Sequence, residues 1–339
     1  MKTGVLLVNL GTPKSPNPRD VYRYLIEFLT DKRVIDLPWL RRQLLVRGAI
    51  VPSRYRQSAK AYQQIWTDEG SPLLVYSKKL EIALSHSLGG NYVIRLGMRY
   101  QDPSLEEQIA ELMKNDLSHL IILPLFPQYA SATTGSVYQR VQEILSKYSV
   151  LPKLTFIDQF ANDSGMISAF GTIAREYSLK DYDHFLFSFH GLPQRQLKAA
   201  DRYGKCLTHP ECCREVCNEN RLCYSAQCYG TAFAIAKNLN FQATEYSVSF
   251  QSRLGKEPWM QPYTSDVIKE LAREGKKKVL VFCPSFVCDC LETIYEIGVE
   301  YAQEFKHAGG EQLDLVRGLN AHPEWIQALA QMISRNSSL

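Results

Sequence analysis

FLFSFHGLP, residues 185–193, matches in kind VLLVNLGTP at residues 5–13. Each is an apolar run that ends in a turn bearing Gly and then Pro. Runs that are apolar nearly throughout read as parallel strands covered on both faces. Two further pairs follow in the same order. GMRYQDPSLEEQIAEL (97–112) corresponds loosely to SFQSRLGKEPWMQPYTSDVIKEL (249–271), and LIILPLFPQYAS (120–131) to KVLVFCPSFVCD (278–289). Other strands are expected at 91–98, 154–160 and 244–250, with helical periodicity over 19–30, 55–66, 104–115, 135–147, 163–177, 226–238, 263–274 and 290–306. Strands alternating with helices predict an α/β fold of two similar halves with parallel sheets. The expected division is 1–160, then 161–310 carrying a Cys-rich segment at 205–228, then 311–339, whose helix returns to the first half.

The chain has 339 residues, 45% hydrophobic and 22% charged, with a net charge of +4. Such a mild charge gives no support for a nucleic-acid partner. MKTGVLLVNLGTP enters a strand-like run without a cleavage site, and no apolar run reaches the ~18 residues of a membrane span. A cytoplasmic location is expected, in which thiols stay reduced.

Ligands in open α/β sheets bind beyond the carboxyl ends of the strands. Four segments there can carry chemistry. His190 ends a strand, where its imidazole can take a proton or bind a metal near neutral pH, or merely satisfy a backbone carbonyl. Glu292, Glu296 and Glu300 stand four apart and form one stripe on a helix, read either as a solvated face or as a ladder of cation ligands. FPQYASATTGS (126–136) is a small, polar lead into a helix and suits an anion, but its glycines match neither a nucleoside triphosphate loop nor a dinucleotide fingerprint. Residues 21–66 mix large apolar side chains with many arginines. Their plain reading is core and helix surface; they also suit a large apolar carboxylate-bearing ligand or a membrane surface.

LLVNLGTP, the EGSPL of 69–73, GMRY, FPQYASATTGS, SFHGLP, FQSRLGKEPW and DCLETIYEIGVEY together resemble the motif set of the ferrochelatases, in order, from about residue 3 to about 330. That resemblance implies a lyase of haem biosynthesis, inserting Fe²⁺ into protoporphyrin IX in a cleft between two Rossmann-like domains. It implies His190 as the histidine that meets the pyrrole nitrogens, Glu292 as the acid facing it, and Glu296 and Glu300 as a continuing acidic track. Arg54, Tyr62 and Ser71 match porphyrin-contacting positions, and Tyr129 and Trp259 match the cleft lining. Leu37, Pro38, Trp39 and Leu40 match a lip that meets the inner membrane surface peripherally. Many members read S-D-H-I-E-T where this chain has Cys288-Asp289-Cys290-Leu291-Glu292-Thr293, which puts in doubt a mechanism needing a second histidine there. Related alternatives are a coproporphyrin III ferrochelatase, a non-catalytic haem or iron sensor, and a corrin cobalt chelatase. The sensor reading expects loss of His190 or Glu292; the cobalt reading is disfavoured by the helix that bears Glu292. Oligomeric state is not legible.

Six of nine cysteines lie in KCLTHPECCREVCNENRLCYSAQC (205–228). Against the family pattern, Gln227-Cys228 is the ordinary position and 205–223 is an insertion. Some bacterial ferrochelatases hold a [2Fe–2S] cluster in such an internal segment, and four thiolates suffice. Adjacent cysteines rarely aim at one centre, so one of Cys212 and Cys213 is spare, and Cys206, Cys213, Cys217 and Cys223 are the expected ligands. Zn²⁺ on four cysteines, or on three with His209, is the chemical competitor.

Overall fold

The computed structural model describes residues 2–209, 211–255 and 257–337. Its strands are β1 (Lys2–Gly11), β2 (Tyr92–Tyr100), β3 (Leu117–Pro124), β4 (Lys153–Phe156), β5 (His184–His190), β6 (Tyr246–Gln251), β7 (Lys278–Phe282) and β8 (Gln312–Leu315). The chain forms two compact units. The first comprises Met1–Phe126, Ala130–Asp158 and Asn320–Leu339, and the second Pro127–Tyr129 and Gln159–Leu319.

Each unit has one wholly parallel four-stranded sheet, ordered β2-β1-β3-β4 in the first and β6-β5-β7-β8 in the second. Counted within its own unit, each order is second, first, third, fourth, so the sequence echo is an echo of topology. Strand order reverses between the first and third strands, the place where open α/β sheets bind ligands beyond the carboxyl ends. In the second unit that place lies beyond β5 and β7.

Both sheets are held by apolar strands buried under amphipathic helices. In the first unit Leu6, Val8, Leu120 and Ile122 pack with Ile109 and Leu112 of helix Leu105–Met113 and with Val137 and Val141 of helix Ser136–Leu145. In the second, Leu186, Val279 and Val281 pack with Ile268 and Leu271 of helix Thr264–Arg273 and with Ile297. Each such side chain contributes about 1.5–3 kcal/mol on burial. Caps set the helix starts: Asp163 accepts the N–H groups of Gly165 and Met166, both at 3.0 Å, and Ser104 accepts that of Glu107.

Where each unit's third strand ends, the chain enters a π-helical stretch. It is short in the first unit, Ser131–Gly135, and long in the second, Leu291–Tyr301. Such i→i+5 winding is rare, appears mostly as single turns and gathers at functional sites. The strand ends also need special residues. Gly11 has φ +118°, and a Cβ there would lie 2.0 Å from the Tyr100 carbonyl oxygen. Only glycine fits that turn.

The residues from 311 onward divide between the units. β8 adds an edge to the second sheet, whereas helix Pro323–Ser337 packs on helix Pro72–Leu88 and β3 of the first.

Candidate active site

His190 is the last residue of β5. Its Nδ1 lies 2.7 Å from the Gly191 carbonyl oxygen. A carbonyl only accepts, so Nδ1 carries the proton and the lone pair is on Nε2. Trp259 and Phe286 flank the imidazole at 6.4 and 6.3 Å between ring centroids. The turn after His190 is stitched to the segment around Trp259, with Gln194 N–H on the Pro258 carbonyl at 2.9 Å and Met260 N–H on that of Leu192 at 2.9 Å. Trp259 is buried, and its Nε1–H has no hydrogen-bond partner among the described residues.

The buried hydroxyl of Tyr224 holds the backbone behind the imidazole. It donates to the His190 carbonyl at 2.8 Å, and Ser285 Oγ lies 3.1 Å away. The phenol has one proton and spends it on the carbonyl, so Ser285 donates to the phenol oxygen. Tyr224 directly follows Cys223 and opens helix Tyr224–Asn238.

The acidic π-helix begins beyond β7. Asp289 pins its head: both carboxylate oxygens accept the Gly318 N–H, at 3.1 and 3.0 Å, and Oδ1 accepts the Thr293 hydroxyl at 3.0 Å. Glu296 is the most engaged of the three glutamates. Its Oε2 accepts from Ser252 Oγ and, at 3.0 Å, from Gln251 Nε2, while Oε1 accepts from Tyr301 at 3.1 Å. Burial pushes its carboxyl above the ordinary range, although the bonds from Ser252 and Gln251 and the charge of His190 oppose that rise. Burial also raises Glu300, helped by the charges of Glu296 and Glu304. With their raised proton affinity, Glu296 and Glu300 can accept a cation or a proton.

Cys290, at the position where many ferrochelatases have histidine, is buried. Burial and the charge of Glu292 push its thiol up, and it hydrogen-bonds that carboxylate. It is therefore a neutral donor and cannot replace a basic imidazole.

The remaining expected site residues are placed as follows. Arg54 is exposed and Tyr62 buried on helix Val51–Ile65 of the first unit. Ser71, at the N-cap of helix Pro72–Leu88, is hydrogen-bonded to Thr12 at 2.7 Å. Tyr129 belongs to the second unit, where its N–H donates to Gln227 Oε1 at 2.7 Å. Trp39, Leu40 and Leu44 on helix Trp39–Leu45 are 67%, 61% and 66% exposed. In the expected anion loop, Ser136 donates to Asp31 and Ser131 accepts from Arg33 at 3.0 Å, while the buried Thr134 hydroxyl has no partner among the described residues.

Three thiols of the Cys-rich segment come together. Cys212 and Cys213 are 3.4 Å apart at Sγ, and Cys213 and Cys223 3.9 Å. Burial and the nearby charges of Cys223 and Cys212 push the Cys206 thiol up to about 11. Cys217 is exposed, and its neighbour in charge is Lys205. Among the described residues no three His, Cys, Asp or Glu side chains are already arranged to hold a metal ion. Two thiolates on one tetrahedral metal with ~2.3 Å bonds stand ~3.8 Å apart, close to the Cys213–Cys223 separation. The donor set therefore suits a thiolate-bound metal.

Sequence reasoning missed Gln251, Ser252, Tyr224 and Tyr301. Gln251 and Ser252 lie in the FQSRLGKEPW motif, and their place at the end of β6, paired in register with His190, was the available signal.

The ferrochelatase family model matches residues 2–337. The ferrochelatase of Legionella pneumophila (strain Paris) is 45% identical over 98% of this chain and 99% of its own length. That of Coxiella burnetii (strain Dugway 5J108-111) is 44% identical over 100% of this chain and 95% of its own. Among solved structures, SirB from Bacillus subtilis with Fe3+ superposes with TM-score 0.57 at 12% identity, covering 99% of this chain and 95% of that one. At that identity the likeness concerns fold alone, that of the chelatases. The chain belongs to the ferrochelatase family.

Proposed function

We propose that this protein inserts Fe²⁺ into protoporphyrin IX to form protohaem. The observation that carries the reading is the fixed tautomer of His190, with its Nε2 lone pair at the end of β5, where its register partner Gln251 bonds the acidic π-helix. Insertion releases two pyrrole protons as two Fe–N bonds replace two N–H bonds. Nε2 of His190 accepts a proton from a pyrrole nitrogen, a step typically contributing about 10²–10⁴ in rate. Glu292 and Glu296 hold the incoming cation or carry protons outward. No further strong ligand completes the set, which suits a metal that must leave for the porphyrin. Arg54, Tyr62, Ser71, Tyr129 and Trp259 are the proposed porphyrin contacts, and the unpartnered indole N–H of Trp259 supports its share. An insertion assay with Fe²⁺ and either proto- or coproporphyrin, on the unaltered chain and on His190→Ala, tests this. Equal rates for the two proteins reject the role of His190; turnover of coproporphyrin alone rejects the substrate.

For the Cys-rich segment we propose a [2Fe–2S] cluster held by Cys206, Cys213, Cys223 and Cys217. The approach of Cys213 and Cys223 supports those two, Cys206 joins them through the charges of Cys223 and Cys212 that bear on its thiol, and Cys212 competes with Cys217 for the fourth place. The group would supply a cross-link that orders an otherwise loop-rich insertion. Iron and acid-labile sulfide in the purified protein decide between it and Zn²⁺; zinc without sulfide rejects the cluster. None of the nine cysteines forms a disulfide, which favours a reducing, cytoplasmic setting. No helix among the described residues is long and apolar enough to cross a membrane. The exposed Trp39, Leu40 and Leu44 suit peripheral contact with a membrane surface.

A further inference from the structure

Gln251 ends β6 directly opposite His190 and is 1% exposed. Its backbone carbonyl accepts the Gly191 N–H at 2.9 Å. Gly191 in turn supplies the carbonyl that fixes the His190 tautomer. The side chain faces the other way. Nε2 donates to the Glu292 carbonyl at 2.9 Å and to Glu296 Oε2 at 3.0 Å, and Oε1 accepts from Ser188 Oγ at 2.8 Å. The first two partners only accept, so the amide nitrogen must face them and cannot exchange places with Oε1. Ser188 retains the Thr264 hydroxyl at 2.9 Å and does not depend on Gln251. Glu296 likewise keeps Ser252 and Tyr301. Gln251 is thus the residue bonded to both arms of the site at once, by its main chain to the histidine turn and by its side chain to the acidic helix.

We propose that Gln251 is a positioning residue for metal transfer, locking the Glu292 backbone and the Glu296 carboxylate at one fixed reach from His190. The proposal rests on the assignment of those carboxylates to the metal. It makes the amide responsible for the metal side of the reaction, while the porphyrin contacts lie on other residues.

The test uses the full-length protein. Gln251→Met keeps length and volume and removes both donors. Gln251→Asn keeps an amide but is one methylene too short to span Ser188 and Glu292, and serves should the methionine variant not fold. KM for Fe²⁺, KM for protoporphyrin and kcat are measured separately, with Glu296→Gln in parallel. We expect the metal KM to rise about tenfold, the scale of one hydrogen bond lost to a charged group, with the porphyrin KM unchanged. A metal KM that stays put in the folded Gln251 variants, or equal rises in both KM values, overturns the proposal. If Glu296→Gln itself leaves the metal KM unmoved, the carboxylate assignment has failed; if it raises the metal KM and the Gln251 variants do not, the positioning role alone has failed.

Discussion

Replacing Tyr224 by Phe removes one oxygen from a buried side chain and keeps the ring in place. That oxygen gives the His190 carbonyl its donor at 2.8 Å and Ser285 its acceptor at 3.1 Å. Leaving a buried carbonyl without a donor costs about 1–3 kcal/mol. A domain of this size loses about 2–4 °C in Tm for each kcal/mol, so the variant stays folded at assay temperature. The catalytic effect should be larger than the thermal one. The freed carbonyl begins the His190–Pro193 turn, and a displacement of ~1 Å at a reacting group costs on the order of 10²-fold in rate. Tyr224→Phe should therefore lower kcat for metal insertion by between ten- and a hundredfold while circular dichroism stays native. The assay is continuous fluorimetry of porphyrin consumption under saturating metal. A folded variant that turns over at the unaltered rate refutes the reasoning, because His190 would then keep its place without the phenol. The same bond carries a structural consequence. Cys223 immediately precedes Tyr224, so disorder in the Cys-rich segment reaches the histidine turn through one residue.

Other perturbations test the scaffold. Burial pushes the His184 imidazole down to about 4 from 6.5; the unfolded chain takes up the proton first as pH falls, so this contribution is complete above 6.5 and lost on the way to 4. At about 1.4 kcal/mol per pH step the loss is about 3 kcal/mol, and His184→Gln should flatten the fall in urea midpoint between neutral pH and about pH 4.5; an unchanged fall refutes it. Asp31 in the first unit accepts from Arg99, Tyr100 and Ser136; Asp31→Ala strands a largely buried guanidinium and should cost roughly 3–5 kcal/mol in urea unfolding, and a loss typical of a surface substitution contradicts the network. Replacing Trp39, Leu40 and Leu44 together by Ser should abolish co-sedimentation with anionic vesicles and leave insertion into dissolved porphyrin intact; retained co-sedimentation removes this helix from the membrane surface.

The fold was legible where burial is two-sided. β1, β3, β5 and β7 are covered on both faces, so their residues are apolar without interruption and announce themselves. β8 was missed because it lies at an edge: Gln312 is exposed, and Asp314 accepts the Tyr182 hydroxyl, so QLDL carries no strand pattern. Helix Pro72–Leu88 was missed for the opposite reason. Its apolar residues are spread around the axis, with Leu73, Leu80 and Leu84 inside and Ile82 outside, so no face stands out.

The site was legible only in its ionisable members. His190 and the glutamate stripe advertise proton and metal chemistry by residue type. Gln251 and Tyr224 do neither. An amide or a phenol bonded to main-chain carbonyls looks, in a sequence, like any other polar residue near a strand end. The cysteines show the limit from another side. Counting spacings left one of Cys212 and Cys213 spare, on the ground that neighbours diverge. The local turn, with Cys212 N–H on the His209 carbonyl and Arg214 N–H on that of Glu211, brings Cys212 and Cys213 to 3.4 Å, and Cys217 is exposed. Spacing restricts which thiols can meet, but backbone dihedrals within the turn decide which do. A thiol count can therefore propose a thiolate-bound metal, whereas its fourth ligand has to be read from cysteine-by-cysteine replacement, with Cys212→Ser and Cys217→Ser retaining or losing iron in opposite senses.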